Sequence, residues 1–347
     1  MSRMSCRWMM AVALAASFPG APGMAVNELV VDPEVRLVSA ERIWDGAPHN
    51  AFTGLARFHD RWYVAFREGE RHGVDYSGSI RVLASNDGSD WESVALMEDA
   101  DSDLRDAHLE VTAEGELMLL GVRSFGSDHD PRHQPVAWFT RDGDSWTDRI
   151  EIAEADYWLW SITWNPDSGY GYGIGYHTPS RDRVRLYRTA DGRDFEVLVP
   201  DLGLRDYPNE SSIVFGGDGT AYALLRRDGG NREAEIGVAR PPYTEWRWKS
   251  LGLRLGGPEM LMLPDGRLLA TVRMYPRGGT SEWETWVGWI DPDAGSFKPA
   301  LRLPSGGDTS YAGMRWHDGR VWISYYSSHE SRSKIYFAQV EIEGIGR

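Results

Sequence analysis

The chain has 347 residues, and its 52 acidic and 37 basic side chains give it a formal net charge of −15. Such an acidic chain lacks the cationic surface that duplex nucleic acid or an anionic membrane requires, so we expect neither as a partner. Its 16 Trp, 15 Tyr and 10 Phe residues indicate a folded protein rather than a disordered one. Any anionic ligand would therefore need a local group of arginines.

Residues 1–25 are predicted to form a secretory signal peptide. Arg3 and Arg7 precede an apolar run at 8–18, and small residues follow at 21–25. This run is much shorter than the roughly 20 residues that span a bilayer, so we expect no membrane insertion. Cleavage would also remove Cys6, the only cysteine. We therefore expect a periplasmic or secreted protein whose residues 26–347 form one domain.

One hairpin is repeated along the rest of the chain. Each copy has two short apolar strands joined by an Asp-Gly-like turn, a third strand follows every copy, and a fourth follows most of them. The copies occupy residues 51–68, 106–123, 161–176, 210–226, 258–273 and 310–326. Four-stranded units repeated every ~50 residues predict an all-β, six-bladed β-propeller with almost no helix. A β-sandwich would not explain the regular spacing. The strand at 35–44 has no hairpin of its own, and we expect it to close the sixth blade.

A second motif, [ST]-x-D-G-x-x-[WF], follows the third strand of the first three copies. It contains Asp87, Asp142 and Asp191. The aspartate is expected to accept hydrogen bonds from the following amides, the glycine to take a positive φ, and the aromatic residue to pack beneath the turn. We predict that the motif stabilises the turn. It resembles the Asp-box of sialidases and related propellers, although it is one residue shorter.

Lining up the six hairpins on their turns brings large polar side chains to equivalent strand ends. These are Arg67, Arg123, Tyr176, Arg226, Arg273 and Tyr326. Equivalent positions of a propeller encircle one axis, so we predict a pocket for a carboxylate or sulfate, which arginine binds bidentately. The alternative is that each arginine forms an ion pair with an Asp or Glu of a neighbouring blade.

Further segments carry a closer resemblance to sialidases. Glu210 precedes Arg226 by 16 residues, and Tyr311 stands ahead of an apolar strand and an Asp-Gly turn. Phe66-Arg67-Glu68 occupies the place of the Phe-Arg-Ile-Pro motif of that family, and Asp75 follows in the next loop. The chain thus resembles the sialidase superfamily over essentially its whole mature length, as a divergent member.

The resemblance implies a role for each of these residues. Tyr311 would be the nucleophile, Glu210 its general base and Asp75 the acid, and sialidases are an exception to the two-carboxylate scheme of glycosidases. Arg67, Arg226 and Arg273 would hold the carboxylate of the sugar. Two assignments remain open, since Arg277 could replace Arg273 and His72 could replace Asp75.

Two further groups of residues contain histidine. His72 and His329 are placed at the substrate site, because both are expected near the same strand ends. Asp128, His129, Asp130 and His133 form the most metal-like cluster, but a polar loop that contains proline is more often solvated than ligating. We therefore expect neither a metal nor an organic cofactor.

Three functions remain as hypotheses. The first is an exo-acting glycoside hydrolase of sialidase type that removes terminal sialic acid or a related acidic sugar. The second is a propeller polysaccharide lyase, in which arginines neutralise a uronate while His329 or His72 and a tyrosine abstract a proton. The third is a non-catalytic propeller that binds carbohydrate. In each case the expected partner is an acidic glycan, and we expect a monomer.

Overall fold

The computed structural model describes residues 31, 32, 34–73, 78–275 and 282–345. The predicted signal peptide, Asp75 and Arg277 lie outside these residues. The described part of the chain contains 25 β-strands and no helix, and therefore no helix that could cross a membrane.

The strands form six antiparallel sheets, one for each blade. The chain starts with β1 (Val35–Trp44), which belongs to the last blade. Blade 1 contains β2 (His49–Phe58), β3 (Arg61–Gly69), β4 (Ser79–Ser85) and β5 (Glu92–Met97). Blade 2 contains β6 (Asp103–Val111), β7 (Leu117–Ser124), β8 (His133–Thr140) and β9 (Ile150–Glu151). Blade 3 contains β10 (Tyr157–Leu159), β11 (Thr163–Trp164), β12 (Gly171–His177), β13 (Val184–Thr189) and β14 (Phe195–Val199).

The second half of the chain repeats the arrangement. Blade 4 contains β15 (Pro208–Phe215), β16 (Ala221–Arg227), β17 (Glu235–Ala239) and β18 (Trp246–Ser250). Blade 5 contains β19 (Leu255–Met262), β20 (Leu268–Met274), β21 (Glu284–Asp291) and β22 (Ser296–Arg302). Blade 6 contains β23 (Thr309–His317), β24 (Arg320–Ser327) and β25 (Lys334–Ile342), with β1 paired to β25 as the outermost strand.

The innermost strands close the ring. Contacts run from β2 to β6, from β6 to β11, from β12 to β15, from β15 to β19, from β19 to β23 and from β23 back to β2. The second strand of each blade lies between two neighbouring sheets, so it is largely buried; β3, for example, is buried from Trp62 to Gly69. The prediction of an all-β, six-bladed propeller closed by an N-terminal strand is confirmed.

The three Asp-containing turns share one geometry. In the first, the Asp87 carboxylate accepts hydrogen bonds from the backbone N–H groups of Ser89 (2.8 Å) and Asp90 (3.1 Å), and Gly88 has a φ of 79°. Asp142 and Asp191 accept the corresponding bonds in blades 2 and 3. These bonds stabilise the connection between the third and fourth strands of the blade.

A one-residue β-bulge recurs in the innermost strands of blades 1, 2, 4, 5 and 6. In blade 3 the inner strand is interrupted at the same level, between β10 and β11. Bulges re-aim side chains and are frequent next to active sites. We define the bulge ring as the six residues at this level, one from each blade: Phe52, Asp106, Trp160, Glu210, Gly257 and Tyr311.

Candidate active site

Tyr311 occupies the bulge of blade 6, where its φ of 50° turns the side chain toward the other members of the bulge ring. Its ring lies 5.2 Å from that of Phe52 and 5.7 Å from that of Trp160, measured between centroids. Gly257 lies against the same ring, and a Cβ at this position would come within 2.7 Å of Tyr311 Cδ2. Since Gly257 also has a positive φ of 49°, both the space and the backbone require glycine there.

Glu210 accepts a hydrogen bond from the phenol of this tyrosine. Tyr311 Oη donates to Glu210 Oε1 at 2.7 Å, and the backbone N–H of Gly257 donates to Oε2 at 2.8 Å. Arg226 Nη1 lies 2.8 Å from both carboxylate oxygens. Residues from blades 4, 5 and 6 therefore hold the carboxylate with its oxygen directed at the phenol.

Arg226 completes a triangle with these two residues. The same Nη1 atom donates to Tyr311 Oη at 2.8 Å, while Nη2 lies 2.7 Å from Asp228 Oδ2. Burial opposes the charge on Arg226, but the neighbouring Glu210 carboxylate raises the pKa of the guanidinium well above its usual range. Arg226 therefore stays cationic, so it can stabilise negative charge that develops on Tyr311 Oη.

The protonation state of Tyr311 follows from its surroundings. Burial and the Glu210 charge raise the pKa of its phenol well above the ordinary value, although Arg226 and Arg273 act in the opposite direction. The resting phenol is therefore neutral. It already donates to a carboxylate that can take the proton, which is the arrangement of an activated nucleophile.

Arg273 lies on the other side of the tyrosine. Its guanidinium carbon is 4.6 Å from the centroid of the Tyr311 ring and 4.3 Å from that of Trp283. Nη2 donates to Tyr326 Oη at 2.7 Å and to Asp308 Oδ1 at 3.0 Å, and Nε donates to the Thr309 carbonyl at 2.8 Å. Tyr326 and Arg273 thus belong to one hydrogen-bonded group beside Tyr311.

Asp308 connects this group to two histidines. His72 Nδ1 lies 2.7 Å and His49 Nε2 lies 3.1 Å from Asp308 Oδ2. Burial disfavours the ionised carboxylate, but hydrogen bonds from both histidines, together with the charge of Arg273, bring the pKa of Asp308 well below its usual range. His72 is half exposed whereas His49 is buried, so His72 presents the accessible ring.

The same three side chains have the spacing of a possible metal site, since their donor atoms lie within 4.8 Å of one another. The predicted candidate at 128–133 is not such a group within the described part of the chain. There, His133 Nδ1 lies 2.9 Å from Thr178 Oγ1, and its ring packs on Trp158.

Arg67 is used differently from the role that the resemblance implies. Its guanidinium forms two hydrogen bonds with Asp103, at 2.8 and 3.1 Å, and both side chains are fully buried. It also donates to the carbonyl of Arg71 at 2.9 Å. The inter-blade ion pair, which was the alternative for each arginine, therefore describes Arg67. Its guanidinium does not reach the surface of the pocket, so it contributes no exposed donor for a ligand.

Arg123 also lies apart from Tyr311, and the lengths of the hairpin turns explain why. In the paired register, Arg67 and Tyr326 are the seventh residues of second strands that follow two-residue turns. Arg226 and Arg273 are the sixth residues of strands that follow five-residue turns, if the first paired residue is counted as one. On that same count Val122 is the equivalent position in blade 2, whose turn also has five residues. Arg123 faces the opposite side, where it pairs with Asp99 at 2.6 Å.

The other predicted site residues are divided between the bulge ring and its surroundings. Tyr176 is partly buried and stacks on Trp158, with 6.0 Å between centroids and 7° between planes. Its pKa is raised well above the ordinary value by burial, and the charge of Glu210 acts in the same direction. His329 instead bonds Ser327 Oγ through Nδ1 at 2.9 Å and packs against Tyr336. Neither of these contacts of His329 involves the group around Tyr311.

Sequence reasoning did not identify several residues that the fold brings to this site. They are His49, Phe52, Asp106, Trp160, Gly257 and Asp308. One signal was available, because Asp103 and Asp308 each stand three residues before a bulge residue. Aligning the starts of the inner strands, rather than only the hairpin turns, would have placed both aspartates at equivalent positions.

Comparisons with known proteins identify the fold. No protein-family model matches the chain, and no curated protein matches it. Among solved structures, a protein of unknown function from Dyadobacter fermentans is 16% identical with a TM-score of 0.77, and the match covers 90% of this chain and 100% of that one.

Two further matches are enzymes with the same architecture. An α-L-arabinofuranosidase from Fusarium graminearum is 13% identical with a TM-score of 0.66, covering 89% of this chain and 99% of its own. A sialidase from Streptococcus pneumoniae is 11% identical with a TM-score of 0.64, covering 88% of this chain and 70% of its own. The chain has the sialidase-type six-bladed propeller fold. At these identities the similarity establishes the fold alone.

Proposed function

We propose that the protein is an exo-acting glycoside hydrolase that removes a terminal acidic sugar, either sialic acid or a related one, through a tyrosine nucleophile. The observation that carries the proposal is the triangle of Tyr311, Glu210 and Arg226, in which a neutral phenol donates to a carboxylate at 2.7 Å beside a cation at 2.8 Å. Two of the structural neighbours, an arabinofuranosidase and a sialidase, are glycosidases, which agrees with this chemistry.

The first step forms a bond between Tyr311 Oη and the anomeric carbon as the bond from that carbon to the leaving oxygen breaks. The phenolic proton passes to Glu210 Oε1, and an acid protonates the leaving oxygen. Water then attacks the anomeric carbon of the glycosyl-tyrosine intermediate, releasing the sugar and returning the phenol. A neutral nucleophile suits a substrate whose own carboxylate would repel an anionic one.

Arg226 and Arg273 are the proposed contacts for the sugar carboxylate. Arg273 Nη1 has no hydrogen-bond partner among the described residues, so it can donate to a ligand without breaking the ion pair with Asp308. Arg67 is not included because Asp103 already occupies it. The proposed clamp therefore has two arginines rather than the three of the sialidase scheme.

The test is turnover by wild type, Tyr311→Phe and Glu210→Gln on a panel of sialosides and uronate-containing glycosides. We expect Tyr311→Phe to lower kcat/KM at least ~1,000-fold on the preferred substrate, because no covalent intermediate can form. A fluorinated, activated acidic sugar should label wild type at Tyr311, as seen by mass spectrometry of peptides. Tyr325→Phe is the matched control, since Tyr325 is buried but donates to the Pro304 carbonyl.

Three results would contradict the proposal. Turnover of neutral glycosides only would reject the acidic substrate. Unchanged activity in Tyr311→Phe would reject the nucleophile. Carbohydrate binding without any turnover by wild type would favour the non-catalytic propeller.

The lyase is a second candidate because His72 is accessible beside Asp308, Arg273 and Tyr326. A histidine and a tyrosine next to an arginine could abstract the proton α to a uronate carboxylate. A product that absorbs in the ultraviolet through its new C=C bond would favour the lyase, whereas incorporation of solvent oxygen would favour the hydrolase. Secretion and a monomeric state remain part of the proposal, to be measured on the full chain.

A further inference from the structure

We propose that His72 is the acid that protonates the leaving group, and that Asp308 and His49 are its positioning residues. The inference rests on the proposed function. It assigns the proton donor to a histidine on the loop after β3, in place of the aspartate that the family resemblance implies.

The Asp308 carboxylate accepts hydrogen bonds from all the other side chains of the network. One carboxylate oxygen, Oδ2, receives His72 Nδ1 at 2.7 Å and His49 Nε2 at 3.1 Å. The other, Oδ1, receives Tyr326 Oη at 2.8 Å and Arg273 Nη2 at 3.0 Å. Four donors on two oxygens keep this carboxylate ionised and immobile, as an orienting carboxylate behind a catalytic imidazole must be.

The hydrogen bond to Asp308 determines which ring nitrogen of His72 can react. A carboxylate only accepts, so Nδ1 carries a hydrogen and donates it to Oδ2. Nε2 is then the atom that exchanges protons with a ligand. The His72 side chain is 50% exposed against 10% for His49, so of the two histidines only His72 can reach a substrate.

His72 also lies at the correct place relative to the nucleophile. The rings of His72 and Tyr311 both pack edge-on against Phe52, each with 5.2 Å between centroids. Phe52 is the bulge residue of blade 1, with a φ of 62° that fixes its backbone in the left-handed region. One phenyl ring therefore packs against both the proposed acid and the nucleophile and fixes their relative positions.

The network is better explained by proton transfer than by a metal ion. A histidine that ligates a metal donates its other ring N–H to an acceptor. His49 Nδ1 is buried with no hydrogen-bond partner among the described residues, so a metal on Nε2 would leave that N–H unsatisfied. With Nε2–H donating to Asp308, Nδ1 carries only a lone pair. The guanidinium of Arg273 on the same carboxylate further disfavours a cation there.

Every proton that moves in the two steps is accounted for. In the first step the His72 imidazolium gives its Nε2 proton to the glycosidic oxygen as the C–O bond breaks, leaving a neutral imidazole. In the second step the same nitrogen takes a proton from the attacking water as the C–O(Tyr311) bond breaks, and Glu210 returns its proton to the phenol oxygen. No redox partner or other co-reactant is required.

Four ionisable groups face His72. They are Asp308 and His49, which share the carboxylate bridge, Asp106 of the bulge ring, and Arg105, whose Nη1 donates to the His72 carbonyl at 3.0 Å. A variant at His72 should therefore change the pH profile of the enzyme, which a purely structural residue would not do.

The experiment compares two substrates of the acidic sugar identified in the turnover panel, one with a 4-nitrophenyl and one with an alkyl leaving group. A good leaving group does not need an acid, whereas an alkoxide does. For His72→Ala and His72→Gln we expect kcat/KM on the alkyl glycoside to fall at least ~100-fold and that on the aryl glycoside to fall less than ~10-fold. The alkaline limb of the pH profile should disappear, and added imidazole should restore part of the activity of His72→Ala.

Two further variants separate positioning from structure. Asp308→Asn should show the same selectivity for the leaving group, with a smaller loss and a displaced alkaline limb. His317→Ala is the matched control, because His317 lies in the β23–β24 hairpin at the opposite end of the strands. Its rates on both substrates should equal those of wild type.

Several outcomes would overturn the assignment. Equal losses on both substrates in His72→Ala would show that His72 is not the acid, and selective loss in Asp75→Asn alone would transfer the role to Asp75. Loss of wild-type activity on chelation, restored by Zn²⁺, would make the cluster a metal site. Absence of wild-type turnover on every acidic glycoside would instead overturn the proposed function, and this inference with it.

Discussion

The same ion pair occurs at two interfaces of the propeller, with different consequences. Arg67 of blade 1 pairs with Asp103 of blade 2, and Arg273 of blade 5 pairs with Asp308 of blade 6. In both, the arginine lies near the end of a second strand, and the aspartate stands three residues before a bulge residue. The backbone repeat thus provides the same pair twice.

The surroundings decide what each pair does. Arg67 and Asp103 are both 0% exposed. Asp308 is 23% exposed and carries two histidines and Tyr326 in addition to its arginine. The bulge residue is Asp106 in the first case and Tyr311 in the second. A repeated fold can therefore use one copy of a motif to join blades and another to build a site.

The largest effect on stability is expected from Arg67→Ala. Removing one partner leaves Asp103 as a buried, weakly compensated charge, which costs about 3–5 kcal/mol of the free energy of unfolding. Urea denaturation measures it. The double variant Arg67→Met, Asp103→Leu should lose much less, because neither charge remains. A small loss in Arg67→Ala would show that water or Arg105 compensates Asp103.

Arg273→Ala should lower the activity strongly and the stability only slightly. Asp308 keeps three other donors and access to solvent, so the loss of stability should be clearly smaller than for Arg67→Ala. Loss of a charged hydrogen bond to the substrate, worth about 1.5–3 kcal/mol, should lower kcat/KM about 10- to 150-fold. Equal losses of stability in the two variants would mean that the two pairs have the same role.

The smallest expected effect is on the pH dependence of stability, and it concerns Asp106, the bulge residue of blade 2. Burial raises the pKa of Asp106 to about 7, and its Oδ1 has no hydrogen-bond partner among the described residues. In the unfolded chain an aspartate has a pKa near ~3.9, so between about pH 4 and 7 the folded state binds the extra proton. The free energy of unfolding should therefore fall as the pH rises through this window, by at most about 1.4 kcal/mol per pH unit.

Asp106→Asn should remove this contribution, so that denaturation midpoints measured from pH 4 to 8 follow a flatter line. Asp60→Asn is the control, since Asp60 is fully exposed in the hairpin turn of blade 1 and should leave the slope as in wild type. An unchanged slope in Asp106→Asn would show that Asp106 is ionised throughout the range.

Sequence reasoning predicted the fold more completely than the site. The periodic hairpins and the unpaired strand at 35–44 specify six blades and their closure, because each signal is local and recurs. The 16-residue spacing of Glu210 and Arg226, together with Tyr311, led to residues that do lie within hydrogen-bonding distance. Arg123 was harder, since a one-residue change of phase in a strand moves a side chain to its opposite face. Arg67 lies in the expected phase, but its partner Asp103 comes from another blade.

The sequence by itself determined the architecture, its turns and the supply of arginines and tyrosines at the strand ends. Tertiary structure alone decided which of them meet. Arg67 is enclosed by Asp103 and Arg123 is turned toward Asp99, whereas the bulges direct Tyr311 and Glu210 to one point. The physical reason is that a repeat specifies equivalent backbone positions, while burial, strand phase and partners from other blades determine the chemistry of each side chain.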